Sequence, residues 1–220
     1  MIALSREFFD RPATQVAPDL LGCVLAHRSA PGLVAAELVE VEAYLGGDDP
    51  PSHAFRGKTA RNEVMFGVPG HAYVYFTYGM HFCVNLVCEP PGQAAAVLLR
   101  AGRVVEGVEL ALARRFPSGE VSSVRRLEQL ASGPARLCQA LGIARAQNGA
   151  DVCDLGGELL IYAPAGSTGP SADRIATGPR VGVSTGAQVP LRYWIAGDPS
   201  VSAYRAHVPP RRTGERLIAR

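Results

Sequence analysis

Two glutamates, Glu40 and Glu42, stand in a run that alternates apolar and polar residues, Val39-Glu40-Val41-Glu42-Ala43-Tyr44. In an extended strand successive side chains point to opposite faces. Val39, Val41 and Ala43 are therefore predicted to enter a core while Glu40, Glu42 and Tyr44 share the other face. His53 follows, and then the aromatic run Tyr73-Val74-Tyr75-Phe76-Thr77-Tyr78-Gly79-Met80-His81-Phe82-Cys83-Val84-Asn85. A carboxylate among rings that can stack is a floor for acid–base chemistry on a flat aromatic substrate. Paired carboxylates can divide acid and base roles, and spacing alone does not separate Glu40 from Glu42.

The elements that must position these groups can be read from pattern and punctuation. Pro12–Leu21 reads as a short helix leading into an extended run Cys23–Ala26, and Pro31-Gly32 marks a turn. Leu33–Tyr44 reads as a long strand broken by Leu45-Gly46-Gly47-Asp48-Asp49-Pro50-Pro51, which puts His53 on a loop. His71–Thr77 and Phe82–Cys88 are rich in β-formers and read as a hairpin with Tyr78-Gly79-Met80 at its tip. Exposed tyrosine and methionine on a turn are unfavourable unless the turn is buried or inserts into something. Ala94–Arg100 reads as a further strand and Val104–Arg115 as a helix. Ser132-Gly133-Pro134 supplies a capping serine, a permissive glycine and a first-turn proline for a helix over Ala135–Leu141, and such an amide-rich start can hold a phosphate. Residues 144–176 read as loop with a strand at Glu158–Tyr162. Thr177–Ser184 reads as an ordered turn, and Leu191–Ile195, with the single tryptophan, as a strand.

Composition sets the bounds. The 220 residues, 47% hydrophobic, suffice for one well-buried domain, expected over residues 1–208, with a basic tail at 209–220 expected to fray. No run of about eighteen apolar residues occurs, and the first residues lack a basic segment followed by an apolar one, so a cytosolic protein is expected rather than a secreted or membrane one. The five cysteines are odd in number and scattered, which predicts free thiols in a reducing compartment and no zinc site. Net charge is +2, with eight basic and twelve acidic residues in 1–110 against fourteen and eight in 111–220. Lys58 is the only lysine, so phosphate contacts would fall to arginine and backbone amides.

Glu42-Ala43-Tyr44-Leu45-Gly46, His53, Arg61-Asn62, Met65-Phe66, Pro69-Gly70, Tyr73-Val74-Tyr75, Tyr78-Gly79-Met80, Phe82-Cys83 with Asn85, Val97-Leu98-Leu99-Arg100-Ala101, and Ser132-Gly133-Pro134 with Leu137–Leu141 come in an order and spacing that resembles the alkyladenine (3-methyladenine, or methylpurine) DNA glycosylases. The resemblance spans about Leu20 to Val201. It departs from the family pattern at Glu63-Val64 and at Cys88-Glu89-Pro90-Pro91.

The resemblance implies an α+β domain with a curved, mainly antiparallel sheet, flanking helices and a protruding hairpin. It implies a base-excision repair enzyme that extrudes a damaged purine from duplex DNA, on the minor-groove side, and hydrolyses its bond to deoxyribose. It chooses Glu42 over Glu40 as the base to an attacking water, with Arg100 orienting that water. Tyr44, His53 and Tyr75 match the walls of a base pocket, where electron-rich rings attract a cationic methylated purine, and Asn85 matches a residue that crowds the amine of normal guanine. Tyr78 matches a wedge that fills the vacated stack, widened by Met80. Thr59, Arg61, Ser132 and Gly133 are candidates for phosphate contact. No metal or cofactor, and a monomer in the cytoplasm (bacterial nucleoid) or nucleus, are expected. The rivals are a glycosylase with strand-cleaving lyase activity, which needs an amine nucleophile, and a non-catalytic binder of damaged DNA or structured RNA.

Overall fold

The computed structural model describes residues 2–77, 79–118, 125–166 and 169–208. Among them one sheet gathers ten strands: β1 (Ile2–Ala3), β2 (Val24–Ser29), β3 (Gly32–Tyr44), β4 (Ala72–Thr77), β5 (His81–Cys88), β6 (Ala95–Glu106), β7 (Ala131–Ser132), β8 (Leu159–Ala163), β9 (Ile175–Gly178) and β10 (Arg192–Ile195). The α-helices are α1 (Arg6–Phe9), α2 (Ala13–Asp19), α3 (Val108–Arg115), α4 (Arg125–Glu128) and α5 (Pro134–Leu141). The strand order is β1-β8-β2-β3-β6-β5-β4, with β10 also on β3, β9 on β10 and β7 on β6. Every ladder is antiparallel. This is the expected α+β class. The basic tail at 209–220 lies outside the described residues.

β3 is the spine. One of its edges pairs with β2 through Gly32–Glu37 and then with β10 through Glu40–Glu42, while β6 runs along the other from Ala35 to Tyr44. The β3–β6 register steps over Val39 and Arg100, since Leu38 faces Gly102, Glu40 faces Ala101 and Val41 faces Leu99. Such irregularities re-aim side chains next to functional sites. Val39, Val41 and Ala43 enter the main core with Val97, Leu99 and Ala101, against Val16 and Ala17 of α2 and Leu137, Cys138, Ala140 and Leu141 of α5. A smaller cluster, Ala54, Met65, Tyr73, Val87, Ala94 and Ala96, forms beneath the segment after β3. The cysteines are free, four of them buried, and burial pushes the Cys23 thiol up to about 12, so it behaves as a core hydrophobe.

β9 over Ile175–Gly178 replaces the end of the expected loop and the start of the turn expected over Thr177–Ser184, because it pairs with β10, and two other boundaries differ from expectation. β6 continues to Glu106, and the helix expected from Val104 begins at Val108, because Val104 and Glu106 pair with Ala36 and Ala35 along the thirteen-residue β3. Gly107, at φ 72°, turns the chain into α3. α5 forms where expected, but its cap is Gly133 without a side-chain hydrogen bond. Ser132 instead belongs to β7 and faces Ala101. The helix stops at Gly142, whose left-handed φ of 74° lets the Ile143 amide reach back to the Cys138 carbonyl.

The sheet face opposite the main core buries charge. Glu40 is fully buried and its Oε1 accepts from Arg100 Nε at 2.7 Å, Arg192 Nε at 2.8 Å and the Ser202 hydroxyl at 2.9 Å, while Oε2 accepts from the Ser202 amide at 2.7 Å. An isolated buried carboxylate would be prohibitive. Here both oxygens are paired, and the pairing joins β3, β6, β10 and the segment around Ser202. Burial pushes the Glu40 pKa up, but Arg100 and Arg192 outweigh it and hold the group below the usual carboxylate range.

Two stability predictions follow from this packing. Glu40→Gln is expected to cost about 3–5 kcal/mol at pH 7 in urea unfolding, the usual loss when one partner leaves a buried ion network. Because the folded pKa is depressed, this stabilisation is complete above the unfolded value and is lost as pH falls through the folded one. The gap between wild type and variant should therefore narrow below about pH 4.3; a constant gap would contradict the pairing. Gly46, at φ 70°, begins the segment that returns over the sheet, and a Cβ there would lie 2.2 Å from the Gln93 carbonyl oxygen. Gly46→Ala should destabilise by about 2–3 kcal/mol, and a loss under about 0.5 kcal/mol would show that the segment adapts.

Candidate active site

The sheet register lines up most of the expected residues. Arg192 of β10 faces Glu42 of β3, Glu42 faces Leu98 of β6, Leu98 faces Asn85 of β5, and Asn85 faces Tyr73 of β4. Residues that face one another across a ladder share a side of the sheet, so Glu42, Asn85 and Tyr73 form a row, with Tyr44 and Tyr75 two residues further along their strands on that side. The segment after β3 then folds back over the row and brings Pro51 and His53 to it.

Glu42 is fully buried and both of its oxygens are engaged. Oε1 accepts the Val181 amide at 2.7 Å; Oε2 accepts the Tyr44 hydroxyl at 3.0 Å and lies 3.3 Å from Arg100 Nη1. Burial, and then the Glu42 charge, push the Tyr44 hydroxyl well above its ordinary pKa, so it stays protonated and donates. Arg100 divides its guanidinium between Glu40 and Glu42. Burial lowers its pKa, but the two carboxylates prevail and raise it. Glu42 thus sits among three donors, the Val181 amide, the Tyr44 hydroxyl and Arg100, whereas Glu40 is consumed in structural pairing.

Tyr44, Pro51, His53, Tyr75 and Asn85 line a small pocket of 50 Å³. Tyr73 and Tyr75 stack with centroids 5.4 Å apart, and His53 meets the Tyr75 ring edge-on at 4.5 Å. His53 Nδ1 lies 3.1 Å from the Tyr73 hydroxyl. His53 remains exposed as a residue, yet its ring packs between tyrosines; that desolvation, and then the Arg61 charge, lower its pKa and keep the imidazole neutral. Asn85 is buried and spends its amide nitrogen on the Tyr73 carbonyl at 3.3 Å.

A larger cavity of 510 Å³ opens beside Arg100, Val181 and Ser202, lined also by Ser132, Gly133, Arg136 and Arg205. It adjoins the carboxylate through Arg100 and Val181, and shares no lining residue with the smaller pocket. Of the remaining candidates, Thr59 is occupied locally, its amide and hydroxyl both donating to the Asn62 side chain at 2.6 and 3.0 Å. Arg61 donates to the Phe76 carbonyl at 3.2 Å and lies over the Tyr75 ring at 5.8 Å. Met80 is 69% exposed beside the start of β5; Tyr78, expected at the tip, lies outside the described residues. Among the described residues no group of three or more His, Cys, Asp or Glu side chains could hold a metal ion, and no helix is long and apolar enough to cross a membrane.

Several site residues had no signal in the spacing. Arg180, 1% exposed, forms a bidentate pair with Asp49 at 2.6 and 2.8 Å, donates to the Ala43 carbonyl at 3.1 Å, and lies 4.6 Å over the Tyr44 ring. Val181, Arg192 and Ser202 complete the carboxylate surroundings. All four lie more than 130 residues from the carboxylates they pair with, so only tertiary folding brings them in; the one hint is the ordered turn expected over Thr177–Ser184.

The chain was compared with known proteins. Residues 7–199 match the family model described as methylpurine-DNA glycosylase. Proteins with the printed name "Putative 3-methyladenine DNA glycosylase" include one from Streptomyces avermitilis, 54% identical over 95% of both chains, one from Leifsonia xyli, 53% identical over 92% of both, and one from Methanocella arvoryzae, 47% identical over 88% of this chain and 91% of the relative. With a buried carboxylate held among donors at the rim of an aromatic pocket, and a family match across nearly the whole fold, this chain belongs to the methylpurine-DNA glycosylase family.

Proposed function

We propose that the protein removes alkylated purines, such as 3-methyladenine, from duplex DNA by flipping the damaged nucleotide and hydrolysing its N-glycosidic bond with a water activated by Glu42. The observation that carries this reading is the state of Glu42: fully buried at the end of a strand, flanked by Arg100, the Tyr44 hydroxyl and the Val181 amide, one side chain from an aromatic pocket. A carboxylate in a dry site beside a bound sugar both accepts a proton from water and stabilises positive charge developing on the sugar. The family membership and the name its relatives carry supply the substrate class.

In this reading Tyr44, His53 and Tyr75 enclose the flipped base, and Asn85 stands where an extra exocyclic amine would collide. A purine methylated at N3 or N7 is cationic, so ring stacking favours it while its charge weakens the bond to be broken. The pocket of 50 Å³ is far below the ~300 Å³ at which ligand pockets usually begin, so base entry requires the side chains on the segment carrying Pro51 and His53 to move apart from Tyr44 and Tyr75. Deoxyribose and its phosphates fall to the larger cavity, where Arg136, Arg205 and the Ser132-Gly133 backbone face the space beside Arg100. Arg61, paired with β4, borders the base side, and Thr59 contributes through the turn it makes with Asn62. Tyr78 and Met80 enter the duplex from the minor groove and fill the stack left by the extruded nucleotide.

A lyase would need an amine at the pocket. Lys58 is instead paired with Glu63 at 2.9 Å and lines neither cavity. The reading predicts that Glu42→Gln lowers single-turnover base release by at least about 10²-fold while the affinity for a lesion-bearing duplex changes less than about threefold; release at the wild-type rate would remove Glu42 as the base. Tyr78→Ala should weaken binding to duplex lesions by about tenfold or more, from the loss of one stacked ring, and leave binding to single strands unchanged. Equal affinity for the duplex in variant and wild type would argue against the wedge.

A further inference from the structure

Behind the pocket wall formed by Tyr44 lies a buried cation. Arg180 Cζ is 4.6 Å from the Tyr44 ring centroid, and Arg180 is not among the residues lining the pocket that Tyr44 lines. The guanidinium thus lies against the ring without itself lining the space proposed for the base. Two of the guanidinium nitrogens are taken by Asp49, whose Oδ2 also accepts the Leu45 amide at 3.1 Å. The third, Nε, is buried with no hydrogen-bond partner in the structure, so the guanidinium is not fully satisfied by Asp49 and the Ala43 carbonyl.

A π system polarised toward a cation on one face has less negative potential to offer on the other. We propose that the Asp49–Arg180 pair tunes the attraction of Tyr44 for a positively charged base, and so sets the enzyme's selectivity between cationic and neutral purine lesions. Asp49 is the balancing element: its carboxylate neutralises Arg180 at close range in a site where little water screens the charge. With Asp49 bidentate on the guanidinium, the ring keeps enough electron density to bind a methylated, cationic purine. Without it, a net positive charge would stand directly behind the stacking surface and repel such a base, while a neutral purine would notice little. Arg180 and Asp49 thus act through Tyr44, as positioning and selectivity residues, and touch no reacting atom. The inference rests on the reading of Tyr44 as a wall of the base pocket.

The test compares duplexes carrying 7-methylguanine, cationic at neutral pH, with duplexes carrying hypoxanthine, which is neutral. Single-turnover base release is measured across enzyme concentrations to give a specificity ratio, cationic over neutral, and melting curves are recorded for every variant. Asp49→Asn should lower the ratio by about fivefold or more, through weaker half-saturation on the cationic lesion, whereas Arg180→Met should raise it. A purely structural pair would depress both lesions in proportion, and an unchanged ratio in either folded variant overturns the inference. If Asp49→Asn fails to fold, Arg180→Met decides by the same criterion. Wild-type protein that released neither base would instead overturn the reading of the site itself, and this inference with it.

Discussion

A carboxylate taken out of water must find its hydrogen bonds inside the protein, and here two such groups, Glu40 and Glu42, stand on the same face of one strand. Much of the arrangement around them answers that demand. Arg100 reaches both because the β3–β6 register steps over it. Arg192 reaches Glu40 from β10, and Ser202 closes the remaining valences with its amide and hydroxyl. Glu40 carries the larger share of structural pairing, and this leaves Glu42 with one strong backbone donor, one phenol and a shared arginine. Two chemically identical side chains thereby acquire different surroundings: one fixes the position of Arg100, and the other is held by its three donors beside the pocket.

The same arrangement links the carboxylate to the aromatic wall. Tyr44 donates to Glu42 through its hydroxyl and meets Arg180 with its ring, while the next residue, Val181, donates to Glu42 from the backbone. Ring and carboxylate are therefore registered against one another by two consecutive residues. Asp49 ties Arg180 to the segment that carries Pro51 and His53. That segment contributes to a pocket that is nearly closed in the free protein, with rings packed on rings. A flipped purine would replace those contacts with stacking of its own, an exchange that costs less for a base already poorly paired in the duplex.

Much of this was legible in the sequence, and for physical reasons. Alternation in Val39–Tyr44 placed the glutamates on one face because β periodicity is strict, and the breaker at Leu45–Pro51 located His53 on a loop. The family resemblance, and not spacing, points to Glu42 rather than Glu40 as the base; in the fold the two differ in that Glu40 Oε1 gathers three side-chain donors. What was not legible depends on long-range pairing. Nothing local marks Arg180 as a partner of Asp49 or Ser202 as a ligand of Glu40, because those contacts are made by chain segments that meet only once the sheet is complete. The extent of β6 is hidden in the sequence for a related reason: Val104-Val105-Glu106 carries a helical period of its own, and the long edge of β3 overrides it.

The central claim is that a damaged purine leaves the duplex and lodges between Tyr44, His53 and Tyr75 with its sugar against Glu42. A crystal structure of Glu42→Gln bound to a duplex carrying a single alkylated purine tests it most directly. The account predicts an extruded base stacked within the opened pocket, an ordered water touching both the residue-42 side chain and Arg100, and Tyr78 filling the gap in the helix. A lesion still stacked in the duplex, or a base seated in the larger cavity beside Arg136 with the aromatic pocket closed, would contradict it.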